Sequence, residues 1–260
     1  MNVLLIYPKF PDTFWSFKHA LKFIHKNSSA PPLGLLTIAS MLPENWNLRL
    51  VDMNVRKLTR RDLNWADMAM ISAMTVQRDS VREVIERCKS TGVKVVAGGP
   101  LFTTEAENFR DVDHLILNEG EITLPSFLND VTNSRPKAEY RTGEFADMQK
   151  TPAPRWDLID LNDYASMSIQ YSRGCPFNCD FCNVTALLGH RMRLKTSRQI
   201  VAELDGLYQA GWRGGVFFVD DNLIGNKKAL KEDLLPALID WRKDKEGMTF
   251  NTEASINLAD

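Results

Sequence analysis

Short apolar runs and helical stripes alternate along residues 1–140. Val3 to Tyr7 is a run stopped by Pro8, Leu48 to Val51 leads into Asp52, and Met68 to Met74 follows the turn at Asp67. Between Asp79 and Ser90, Val81, Val84, Ile85 and Cys88 recur at helical spacing, and Gly92 is placed to end that helix. Val93 to Ala97 and Leu115 to Leu117 read as further strands, stopped by Gly98-Gly-Pro100 and Asn118-Glu-Gly-Glu121. A helix through Leu124, Phe127 and Leu128 follows. Strands that alternate with helices predict an α/β fold of the doubly wound, Rossmann-like class, with a parallel sheet covered on both faces. Ligands of such sheets bind at the carboxyl ends of the strands, so loops 72–77, 98–104 and 118–122 form a candidate rim.

Residues 132–168 are polar and punctuated by Pro136, Pro152 and Pro154, with no sustained period, and the segment 141–165 reads as a linker. A second α/β unit occupies 166–260. Met167 to Tyr171 is its first strand, Thr196-Ser-Arg-Gln199 has the form of a capping box, and Ile200, Val201, Leu204, Leu207 and Tyr208 give the helical stripe that Gly211 closes. Gly215 to Val219 is a second strand ending in Asp220-Asp-Asn222, a helix runs from Lys227 to Arg242, and a third strand covers Thr249 to Thr252. Between Phe10 and Ser29, Phe14, Phe17, Leu21 and Ile24 share one helical face, with Lys18, Lys22 and Lys26 away from it. A membrane-surface helix fits that pattern; packing over the front domain is the reading taken, with His19 and His25 as surface or packing residues.

Composition narrows the picture. The chain has 260 residues, 44% hydrophobic and 25% charged, and a net charge of −1, which argues against a nucleic-acid binder. The amino-terminal run lacks the length, basic flank and cleavage site of a signal peptide, and no run is long enough to span a bilayer. Of four cysteines, three are clustered, so a disulfide framework is not expected and a reducing, cytoplasmic compartment is. Cys88, on its apolar helical face, reads as core packing.

The clustered cysteines carry the chemistry. Cys175, Cys179 and Cys182 stand in Tyr171-Ser-Arg-Gly-Cys-Pro-Phe-Asn-Cys-Asp-Phe-Cys182, a CxxxCxxC run. Thiolates bind soft metals and iron–sulfur clusters. Structural zinc takes four ligands, usually as two separated pairs, and here the only nearby spare ligand is His190. Three thiolates without a fourth leave one iron of a [4Fe–4S] cluster open to a ligand that is not protein.

This loop, with Phe181 before its last cysteine and Ser172-Arg-Gly-Cys-Pro-Phe leading in, resembles that of the radical S-adenosylmethionine (SAM) superfamily. The resemblance implies that the open iron chelates SAM, whose reductive cleavage yields a 5′-deoxyadenosyl radical, and that a donor such as flavodoxin or ferredoxin supplies the electron. It places Phe181 beside the adenine and Asp220, Asp221 and Asn222 along the SAM pocket, with Glu253 and Ser255 as further candidates. It also implies a partial (β/α)6 barrel, of which only about three strands fit after residue 166, so the chain reads as ending in mid-barrel.

The order of Met-x-Val-Leu-Leu-Ile-Tyr-Pro, Pro31-Pro-Leu-Gly34, Val51-Asp52, Gly98-Gly-Pro100 and Glu119-Gly-Glu121 ahead of the cysteine loop is similar to the cobalamin-binding domain of B12-dependent radical SAM enzymes. The resemblance implies cobalamin contacts from Ser72, Met74, Thr75, Gln77, Gly98, Gly99, Pro100, Glu119 and Gly120. Many cobalamin proteins carry Asp-x-His-x-x-Gly with a cobalt-ligating histidine; here Asp113-His114 lacks the glycine, so no histidine lower ligand is expected. The implied activity is methyl transfer to an unactivated carbon, with ring closure or rearrangement, or a non-catalytic cobalamin and cluster module, as alternatives. Tyr7-Pro-Lys-Phe, Phe14-Trp-Ser-Phe17 and Pro31-Pro-Leu-Gly34 look most like the hopanoid-methylase branch, which implies a lipid among small-molecule substrates.

Overall fold

A computed structural model describes residues 1–13 and 16–259. Strands β1 (Asn2–Tyr7), β2 (Asn47–Asp52), β3 (Met68–Ser72), β4 (Lys94–Gly98), β5 (His114–Ile116) and β6 (Glu139–Tyr140) form one parallel sheet in the order β2-β1-β3-β4-β5-β6. Helices α1 (Lys18–Phe23), α2 (Leu33–Ala39), α3 (Arg60–Trp65), α4 (Arg78–Ser90), α5 (Pro100–Thr104) and α6 (Gly120–Thr132) lie between the strands. Side chains alternate sides along a strand, so an unbroken apolar run feeds two cores. Leu4 and Ile6 pack with Val81, Val84, Ile85 and Cys88 of α4 on one face, whereas Val3 and Leu5 pack with Leu35 of α2 and Phe127 of α6 on the other. The fold is the doubly wound class that the alternation predicts.

Beyond it, β7 (Ser166–Ile169), β10 (Gly215–Phe218) and β11 (Thr249–Thr252) form a three-stranded parallel sheet with β10 central. A short hairpin, β8 (Ser172–Arg173) and β9 (Arg193–Leu194), follows β7 and carries α7 (Val184–Leu188) inside its loop. Helix α8 (Ser197–Gln209) starts at the predicted capping box, where Thr196 and Gln199 bond reciprocally, and buries Ile200, Leu204 and Leu207. The next helical stretch is not one regular helix: Lys227–Ala229 passes through a π-helical turn, Leu230–Leu234, into Leu235–Arg242.

Three further readings change. The segment taken as a loose connector is packed, because Met148, Trp156 and Tyr164 are buried and three single-turn helices supply its local hydrogen bonds. The Tyr164 hydroxyl donates to Asp52 at the end of β2 (3.2 Å), and Leu36 of α2 joins the core of the second unit, so the two units share an interior. Burial pushes the Asp52 carboxyl up, with the hydrogen bonds from Asn54 and Tyr164 acting against it. The strand at Met68 stops at Ser72, because the chain turns into a single helical turn at Thr75–Gln77. Among the described residues of Phe10 to Ser29, the α-helix is α1, which buries Leu21 and leaves Phe23 and the flanking Phe17 and Ile24 exposed; Phe14 lies outside the described residues.

Helix α3 offers a direct check of local stabilisation. Thr59 and Asp62 form a capping box, and Arg56 grips both Asp62 oxygens at 2.9 and 3.0 Å. Partial burial raises the Asp62 carboxyl, but the hydrogen bonds from Arg56 and Thr59 outweigh it and hold the group down at about 2. A depressed carboxyl stabilises the fold above its ordinary range and ceases to as pH falls through its folded value. Asp62→Asn should therefore cost about 1 kcal/mol at neutral pH. In thermal melts across pH, the gap between parent and variant should close as pH approaches about 2.

Candidate functional site: a cavity beside the cysteine loop

A cavity of about 520 Å³ opens at the carboxyl ends of β3, β4 and β5. Ser72, Met74, Thr75, Gly98, Gly99, Pro100, Glu119 and Gly120 all line it. Its floor needs glycine for two reasons. A Cβ on Gly98 would stand 2.7 Å from the Ile116 carbonyl oxygen. Gly99 has φ 91° and ψ −176°, a region other residues avoid, and a Cβ there would stand 2.6 Å from Ser72 Oγ. The strand ends therefore present bare backbone to whatever fills the space. Asn118, also in the wall, takes a left-handed φ of 63°, and its backbone N–H donates to Thr103 Oγ1 (2.9 Å). Its buried Oδ1 has no hydrogen-bond partner among the described residues. Such an acceptor is costly to leave unmet, and a ligand N–H would satisfy it.

The opposite wall belongs to the cysteine loop. Asn183, next to Cys182, lines the cavity together with Val184, Leu187 and Leu188 of α7. The loop closes at its base, where Cys175 N–H donates to Gly189 O (3.1 Å), and Gly174 turns at φ 92° so close to Arg191 that a Cβ would stand 2.6 Å from its carbonyl oxygen. Within it, Cys182 N–H donates to Cys179 O (3.0 Å). Cys175 is half-buried, while Cys179 and Cys182 are exposed. The three thiols share one loop, but among the described residues no three His, Cys, Asp or Glu side chains converge as a metal-binding group. As a donor set, three thiols with two open to solvent suit an iron–sulfur cluster in chemistry; the loop's stem is what the fold itself fixes.

Other predicted residues fall elsewhere. Gln77 does not line the cavity: its side chain is buried, accepting from Met74 N–H (2.8 Å) and donating to Pro8 O, which caps the turn after β3. Phe181 is 93% exposed and does not line the cavity. Asp220 is buried, and its carboxylate accepts from the backbone N–H groups of Tyr171 (3.0 Å) and Ser172 and from the Ser172 hydroxyl. Burial pushes this carboxyl up while those bonds favour its ionised form, so Asp220 anchors the strand entering the loop. Asn222 is pinned to Ser255 Oγ (3.1 Å), and Glu253 is exposed. Asp221 reaches the cavity. His114 is turned against Phe127, with Nδ1 2.6 Å from Lys137 O, and the lining among the described residues contains no histidine.

Sequence reasoning placed Asn118 at the rim only as part of loop 118–122, and it missed Arg173 and Leu187, also in the wall, and Arg193, which pairs with Glu119 at 2.6 Å. Asn118 and Arg173 lay inside quoted motifs, yet neither has a periodicity or spacing that marks where its side chain goes.

The B12 binding domain family matches residues 24–128. The chain is 46% identical, over 100% of its length and 49% of the relative, to an uncharacterized methyltransferase of Synechocystis sp.. It is 37% identical, over 99% of its length and 50% of the relative, to the hopanoid C-2 methylase of Rhodopseudomonas palustris. The chain thus spans about half the length of these curated relatives. Among solved structures, the cobalamin-dependent S-adenosylmethionine radical enzyme OxsB with aqua-cobalamin bound is similar with a TM-score of 0.71 at 16% identity, covering 96% of this chain and 38% of that one. The radical S-adenosylmethionine methyltransferase TsrM from Kitasatospora setae, with cobalamin and a [4Fe–4S] cluster bound, gives 0.69 at 16%, covering 94% and 52%. At those identities the likeness to the two structures is one of fold.

The glycine floor can be tested without any ligand. Gly99→Ala places a side chain in a backbone region reserved for glycine and against Ser72 Oγ, so it should destabilise the chain by about 1–3 kcal/mol. Gly34→Ala, where a Cβ meets nothing within 4 Å, is the matched control and should melt within a degree or two of the parent. Equal melting of the two variants would remove the steric reading of the floor.

Proposed function

We propose that this chain, whose residues 24–128 match the B12 binding domain family, is a cobalamin-binding radical SAM protein and forms the cofactor-holding part of a cobalamin-dependent methyltransferase acting at an unactivated carbon. The observation that carries the proposal is the shared wall: the glycine-floored cavity of the front sheet is closed by the residues that follow Cys182. In this reading Gly98 and Gly99 admit cobalamin to within contact of the backbone, Asn118 Oδ1 accepts from an amide of the ligand, and Leu187 and Leu188 keep that side of the cavity apolar. Cys175, Cys179 and Cys182 supply the thiolates for a [4Fe–4S] cluster, and Asp221 lies on the side where SAM would meet the cavity. When bound, the cluster and SAM provide hydrogen abstraction from carbon and cobalamin provides the methyl group. Holding both groups against one wall is what such a transfer demands of the protein, since reacting centres must be brought within contact in a fixed orientation. An external one-electron donor, such as a flavodoxin or ferredoxin, is part of the proposal. The relative named hopanoid C-2 methylase supports a lipid as substrate. No helix among the described residues is long and apolar enough to cross a membrane.

The test is anaerobic reconstitution with iron, sulfide and hydroxocobalamin. The chain should retain cobalamin absorbance after desalting and bind about four irons. Replacing Cys175, Cys179 or Cys182 with Ala should remove most of the iron and leave cobalamin in place. The reduced Co(II) form should show no nitrogen superhyperfine splitting from a protein imidazole. Failure to retain cobalamin would overturn the proposal, and iron retention by the triple cysteine variant would overturn its cluster assignment.

A further inference from the structure

The segment Glu119–Glu121, where α6 begins after β5, faces two ways. Glu119, Gly120 and Glu121 line the cavity, and both carboxylates meet arginines on the hairpin that carries the cysteine loop. Arg193 reaches the two oxygens of Glu119 at 2.6 and 2.7 Å, and Arg173 reaches those of Glu121 at 2.7 and 3.0 Å. Arg173 also lies 3.5 Å from Glu119. None of the four side chains is more than 15% exposed. Both contacts are two-pronged, the geometry that fixes orientation as well as distance. Burial alone would raise the Glu121 carboxyl, but the Arg173 charge holds it below the usual range.

Arg193 then continues into the loop. Its Nη2 donates to Leu188 O (3.0 Å), its Nη1 donates to Ala146 O (2.8 Å), and the guanidinium sits 5.0 Å over the Phe145 ring. Ala146 N–H in turn donates to Glu119 (2.8 Å). Leu188 lines the cavity, and the next residue, Gly189, accepts the backbone hydrogen bond from Cys175 (3.1 Å). A continuous path therefore runs from the cavity wall through Glu119, Arg193 and Leu188–Gly189 to Cys175. Farther along the loop, Cys179 and Cys182 are exposed.

We propose that Glu119, Glu121, Arg173 and Arg193 form a two-armed clamp that registers the cysteine loop against the cavity, with the Glu119–Arg193 arm setting the position of Cys175. All four are positioning residues. The role of Cys175 as a cluster ligand rests on the function proposed above; the clamp does not. The chemistry requires arginine. Arg193 uses its planar fork on one carboxylate and two carbonyls at once, and a lysine ammonium offers a single point that cannot span them.

Site-resolved alkylation of the metal-free chain with iodoacetamide tests this, because the protein contains its own control. Cys88 is fully buried in the core of the front sheet, and burial pushes its thiol up to about 11, so its alkylation reports global opening alone. Arg193→Lys should raise the alkylation rate of Cys175 about tenfold, the scale of a lost charge-assisted hydrogen bond, with Cys88 unchanged. Glu119→Gln, which keeps the shape and the acceptor for Ala146 N–H, should move Cys175 in the same direction by less. An unchanged Cys175 rate in both variants would overturn the clamp. So would a parallel rise at Cys88, which would mean that the pairs only stabilise the fold. Failure of the parent to take up cobalamin or iron would overturn the proposed function and leave this result standing, since no cofactor is present in the assay.

Discussion

A parallel sheet buried on both faces leaves only its carboxyl edge free, and that constraint organises everything else in the molecule. Each of the front strands runs the same way, so every connection crosses back over a face, and the helices that make those crossings seal both sides. What remains is the rim where β3, β4 and β5 end. Any bulk there would close it. At Gly98 and Gly99 the chain carries no side chain at the two positions where a Cβ would strike the neighbouring strand end or Ser72. The cavity is thus the consequence of a topology that exposes one edge and a sequence that keeps that edge bare.

The second unit covers the rim, and its attachment is unlike an ordinary packed interface. Part is apolar, with Leu36 joining the core that includes Met167, Ile169 and Tyr171. The rest is charge taken out of water. Buried ion pairs recover little more than their desolvation cost, so Glu119–Arg193 and Glu121–Arg173 are poor candidates for sources of stability. Their two-pronged geometry does what apolar contact cannot, since it admits one register and penalises all others. Asp220 adds a third carboxylate, which accepts from the backbone N–H groups of Tyr171 and Ser172 where the chain enters the hairpin. Carboxylates therefore hold both strands at the base of the cysteine loop, Ser172 and Arg173 on one and Arg193 on the other.

Much of the scaffold was legible in the sequence, because its signals are local and periodic. The apolar runs gave five front strands, the stripe at Val81, Val84, Ile85 and Cys88 gave α4, and Thr196 with Gln199 gave the start of α8. The rim glycines and the cysteine spacing were legible for the same reason. The clamp was not, because its partners stand 52 and 74 residues apart and a lone arginine carries no period. Gln77 was misplaced because its side chain caps the turn it sits in, a choice that position on a rim loop cannot reveal. The packed segment around Met148, Trp156 and Tyr164 looked like a linker because irregular backbone hides burial when the apolar residues are few and widely spaced. In α1, the stripe through Leu21 suggested a longer helix than the chain forms.

The start of α6, Glu119–Glu121, belongs both to the cavity wall and to the ion pairs with the hairpin. A Cβ on Gly120 would stand 2.5 Å from Ile38 Cδ1, so glycine lets this part of the wall lie close against α2. The carboxylates on either side of it meet the arginine forks of the hairpin. Such two-pronged pairs fix orientation as well as distance. The cavity and Cys175 are thus joined by an unbroken run of contacts, in which Leu188 lines the cavity, its carbonyl accepts from Arg193, and the next residue, Gly189, accepts from the Cys175 N–H.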